Sequence, residues 1–123
     1  MKFLSVIPLI FILSLSATKC KNKDQVYKGR LEVKGMCMNY TIKLLEGNLD
    51  KSKYLSEWKD ESTGKMHTNV FALGSVCNFP ATIKEGDEFY FRIDSSYASN
   101  CVVCMAYYPK PSKSIAIKIV NKD

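Results

Sequence analysis

The chain has 123 residues, a formal net charge of +6, five cysteines and one histidine. This length, less an export segment, makes one domain and not two, and a single histidine narrows acid–base and nucleophilic chemistry sharply. A basic balance draws the protein toward anionic surfaces through long-range attraction, without specifying a partner.

The N-terminus sets the compartment. Lys2 is followed by an almost wholly apolar run from Phe3 to Leu15, then by the small residues Ser16, Ala17 and Thr18. That order is a secretory signal, assigned to residues 1–18. The apolar run is about thirteen residues with Pro8 inside it, too short for the ~30 Å of a bilayer core. Residues 19–25 read as a polar tether and 26–121 as a single β domain. Cys20 is a candidate for lipidation, although Lys19 before it fits a lipid-attachment site badly. The alternative is a free or intermolecular thiol, since five cysteines leave one over.

Period-two alternation dominates the rest, as half-buried strands require. Tyr27, Leu31 and Val33 alternate with Lys28, Arg30, Glu32 and Lys34. After Gly35 a second run alternates Met38, Tyr40, Ile42 and Leu44 with polar residues, and the two predict a hairpin. Residues 47–65 admit two readings. In one, Asp50 caps a short helix carrying Tyr54, Leu55 and Trp58. In the other, Trp58 ends a strand and Asp60 to Gly64 turns into the next, which centres on Val70 to Leu73. Glu85-Gly86-Asp87 is a tight turn before a strand from Glu88 to Asp94. Further strands are expected from Cys101 to Tyr108 and from Ser114 to Val120, separated by Pro109 and Pro111.

Five or six short antiparallel strands in about a hundred residues bury one face and manage their edges as a small barrel or sandwich. The fold class is therefore all-β, with at most one short helix. The apolar strand, Lys84-Glu85-Gly86-Asp87 turn and aromatic strand resemble segments of OB-type barrels. The layout from Gly74 through Pro80 into that turn, with the late Cys101-to-Pro109 segment, resembles small exported envelope proteins of Bacteroidota-type bacteria. That resemblance implies a cell-envelope or secreted location and no particular activity.

Cys37, Cys77, Cys101 and Cys104 form an even set, which in an oxidising compartment is a disulfide framework. Cys101 and Cys104 enclose two valines, and on an extended chain residues three apart stand ~10 Å from each other. A disulfide needs Cα atoms within about 7 Å, so Cys37 and Cys77 should each take one of that pair. A zinc site on these four thiols, or thiol exchange through Cys101 and Cys104, has to overcome the stiffness of Val102-Val103 and the absence of a following helix. A soft-metal site suited to copper(I) is the alternative carried by Met36, Cys37, Met38 and His67.

No hydrolase elbow, zinc-protease or phosphate-loop motif is present, and no cofactor is implied. The expectation is an exported, non-enzymatic binding or structural domain. Its surface would be aromatic and basic around Tyr97, Tyr107, Tyr108 and Lys110. Partners in keeping with that surface are an anionic glycan, a lipid headgroup or a protein; no nucleic acid is expected, and a membrane only through acylated Cys20. The alternatives are a copper carrier and a small secreted inhibitor.

Overall fold

A computed structural model describes residues 25–121 of the chain, so the signal segment, most of the tether and Cys20 lie outside the described residues. Seven strands form one sheet: β1 (Tyr27–Lys34), β2 (Tyr40–Glu46), β3 (Leu55–Lys59), β4 (Met66–Leu73), β5 (Glu88–Ile93), β6 (Ser114–Ile115) and β7 (Ile117–Val120). The all-β class holds.

β1 carries the predicted alternation. Tyr27, Gly29, Leu31 and Val33 point inward, while Lys28, Arg30 and Glu32 are only half-covered. Antiparallel pairing with β2 sets Leu31 against Ile42, and β2 in turn sets Ile42 against Phe71 on β4. On its other side β1 pairs with β5, placing Tyr27 against Phe91. Leu31, Ile42, Phe71 and Phe91 are all fully buried. Burying a side chain of this size contributes about 1.5–3 kcal/mol each, so this row is the centre of the fold.

The last strand is split. β6 pairs parallel with β4, Ala116 makes a step, and β7 pairs antiparallel with β5. With the edge strand β3 set aside, neighbours run β1, β2, β4, β6/β7, β5 and back to β1. This circuit is that of a small, partly open barrel. Only a two-residue ladder joins β6 to β4, so the circuit stays partly open.

Two expectations need correcting and one open choice is decided. Residues 101–108 form no strand; they belong to the long connection between β5 and β6. Met38 does not open β2 but lies in a single tight turn, Met36–Met38, where Cys37 and Met38 both have positive φ (58° and 60°). The 47–65 segment takes the strand reading: Trp58 lies on β3, and Asp60 opens the turn into β4. Asp50 does cap a helix, a single 3-10 turn at Lys51–Lys53, where its carboxylate accepts from the Ser52 amide at 2.9 Å.

Candidate functional site

The four cysteines lie in three loops: the turn 35–39 after β1, the loop after β4, and the connection 94–113, which they fasten to the other two. Cys104 bonds to Cys37 in the first turn, and Cys101 bonds to Cys77 in the loop after β4. Cα separations of 5.1 and 5.6 Å lie within the ordinary disulfide range. The pairing is the long-range one expected, and two such bridges belong to an oxidising, extracytoplasmic setting.

Non-covalent contacts complete the fastening. The Asn39 side-chain amide donates to the carbonyl of Met36 at 3.0 Å and to that of Ala106 at 3.2 Å. The ring of Tyr108 lies against Gly35, so close that a Cβ there would stand 2.5 Å from ring carbon Cδ1. Tyr97 accepts a hydrogen bond on its hydroxyl from the Cys77 amide at 3.1 Å. The loop therefore has its backbone held at Cys101, Cys104, Ala106 and Tyr108.

Between these anchors the side chains face outward. Val102 is 100% exposed, Met105 92% and Tyr107 80%, with Val103 also exposed. Two clefts flank the loop. One, of about 290 Å³, lies between the Cys37–Cys104 bridge, Tyr97 and Lys110. The other, of about 540 Å³, runs under Met105 to Pro111, which arch over Ala72 of β4.

The four residues expected to make a binding surface thus come to one region but divide in role. Tyr97 and Tyr108 hold the loop in place, whereas Tyr107 and Lys110 are open to solvent. Val102 and Met105, read as parts of a strand, are the most exposed apolar side chains of the loop. Their signal was available in the absence of any polar alternation from Cys101 to Tyr108.

The soft-metal set is not assembled. The sulfur of Cys37 is bonded to Cys104, while His67 sits near the start of β4 and Met38 lines a cleft with Leu73 at its end. Six residues of extended chain separate those ends by ~20 Å. His67 instead stacks on Trp58, ring centroids 5.5 Å apart, with Nδ1 3.5 Å from the Glu32 carboxylate. Buried Asp60 is a turn residue: its carboxylate accepts from the Ser62 amide and hydroxyl at 2.9 and 2.7 Å.

The chain matches no protein family, no curated protein and no solved structure.

Proposed function

We propose that the protein is an exported, non-enzymatic binding domain of the cell envelope or secreted fraction, and that the loop from Cys101 to Tyr108 is its contact surface. One observation carries the reading. Apolar side chains are fully presented to solvent by a segment that two disulfides hold out from the barrel.

A free loop of this composition would lower its exposed apolar area by folding back on the sheet. Four anchors prevent that collapse, so the exposure is a property of the native state. Large exposed apolar groups mark sites of association, and a rigid loop loses little conformational entropy on binding. The same rigid presentation suits an inhibitory segment, in which case the partner is an enzyme.

The test is photo-crosslinking in the cells that make the protein. A benzoylphenylalanine in place of Tyr107 should give discrete adducts, whereas the same group in place of exposed Glu57 on β3 should give none. An adduct pattern identical at the two positions, or no adduct at 107, removes the reading.

A further inference from the structure

This inference rests on the 101–108 loop being the contact surface, and it names the partner. We infer that the loop docks on an anionic lipid bilayer, with Val102, Met105 and Tyr107 entering the headgroup–acyl boundary and Lys110 and Lys113 lying against the headgroups.

The chemistry of the segment is the first support. No charged residue falls between Asp94 and Lys110, a stretch that contains the whole loop tip. A carboxylate or ammonium there would oppose entry into an apolar medium. Tyrosine suits the boundary itself, because its ring is apolar while its hydroxyl stays hydrated.

Charge complementarity is the second. Lys110 and Lys113 follow the tip directly and are exposed, and Lys113 shares a cleft with exposed Lys51 beside β4. Among the described residues none of these three has a carboxylate within ion-pair distance. Two uncompensated ammonium groups directly after an uncharged tip, with a third sharing the cleft of Lys113, match an anionic headgroup layer above hydrocarbon.

Shape separates lipid from protein. Side chains exposed to 100% and 92% stand on a convex tip and not on a flat patch. A standard protein interface takes ~800 Å² per partner from 20–30 residues and is poor in lysine, which a single loop with a lysine fringe does not offer. A bilayer needs no complementary relief. The loop's backbone amides limit entry to the boundary, because unpaired peptide groups do not go into hydrocarbon.

The experiment is cosedimentation of the exported, oxidised protein carrying Cys20→Ser, so that no acyl chain contributes. Vesicles are phosphatidylcholine alone or with about a third phosphatidylglycerol, matching an anionic leaflet. Val102→Asp with Met105→Asp should lower partitioning into the anionic vesicles by roughly tenfold or more. Lys110→Glu with Lys113→Glu should lower it by a similar factor and flatten its dependence on salt. Mass spectrometry showing two intact disulfides, with an unchanged melting temperature, establishes that both double variants are folded.

Absence of vesicle binding, or binding that Val102→Asp and Met105→Asp leave unaltered, overturns the inference. If position 107 still cross-links to a protein in cells while vesicles are ignored, the lipid partner falls and the contact surface stands. If position 107 gives no adduct of either kind and vesicles are ignored, both fall together.

Discussion

Gly35 shows how one absent side chain fixes the site. Its φ of −70° is open to any residue, so the requirement is for space and not for backbone freedom. A Cβ would overlap the Asn39 carbonyl and the Tyr108 ring together. Gly35→Ala should therefore destabilise the domain by about 1–3 kcal/mol, as overpacking does. Tyr108→Ala in the same chain should recover only part, because the carbonyl remains; urea unfolding of the two single variants and the double variant measures this. Asp60 makes a second residue-scale case. Burial pushes its carboxyl up, but hydrogen bonds from Ser62, the nearby His67 imidazole and a bond from Thr63 outweigh it, holding it below the usual carboxylate range. Because the folded value is depressed, the stabilisation is complete above the unfolded carboxylate range and is lost as pH falls through the folded value. Asp60→Ala should cost about 2 kcal/mol at neutral pH, and the gap to wild type should narrow in acid. A gap that is constant from neutral pH to below pH ~3 would contradict this assignment.

Elements differ in how much of them the sequence discloses. β1, β5 and the final segment were legible because each has one wet and one dry face, and alternation records that directly. The turn at Lys84–Asp87 was legible too: Gly86 has φ of 93°, and Asp87 accepts from the Lys84 amide at 2.8 Å. The loop 101–108 was misread as a strand because Val102 and Val103 favour extended backbone locally. The cysteines draw it toward two other loops and it joins no ladder. The expected pairing is the one found, although the extended strand from which it was argued does not form. Met36–Met38 was misread because a turn with two positive-φ residues other than glycine is uncommon; Cys104 and Asn39 hold it there. The bridges close segments of 67 and 24 residues. Taken singly, chain entropy assigns them about 4.4 and 3.4 kcal/mol. With one already formed, the longer is shortened by the other, and the difference falls to roughly half a kcal/mol. Replacing either pair by serine should therefore lower stability by a similar ~3–4 kcal/mol. Only loss of Cys37–Cys104 removes the covalent tie between the loop and the turn 35–39. Hydrogen exchange at 102–108 should accelerate strongly in Cys37→Ser with Cys104→Ser, beyond what the other pair produces.

At the scale of the whole molecule, barrel closure depends on how one segment changes partners between Ile115 and Ile117. β6 leaves β4 and β7 joins β5 with only Ala116 between, so the ladder cannot supply every hydrogen bond at the step. Ser75, fully buried after β4, supplies them: its hydroxyl accepts from the Ile117 amide and donates to the Ile117 carbonyl, both at 2.8 Å. The neighbours are backbone bonds, Gly74 amide to Ile115 carbonyl at 2.8 Å and Asp94 amide to Ala116 carbonyl at 2.9 Å. One side chain thus substitutes for the missing strand at the point where the two halves of the sheet meet. Ser75→Ala removes both bonds and leaves a buried donor and a buried acceptor, each costing ~1–3 kcal/mol. A loss of about 3 kcal/mol is the expected result, a large fraction of the stability of a domain this size. Exchange of the Ile117 amide locates the effect. If closure is local, that amide loses protection well before the Leu31–Ile42–Phe71 row does. If instead all amides lose protection equally, the step is part of a single cooperative unit, and the fold opens only as a whole. The partial ladder between β4 and β6 favours the first outcome, because two pairs of residues are all that hold that seam once the hydroxyl is gone.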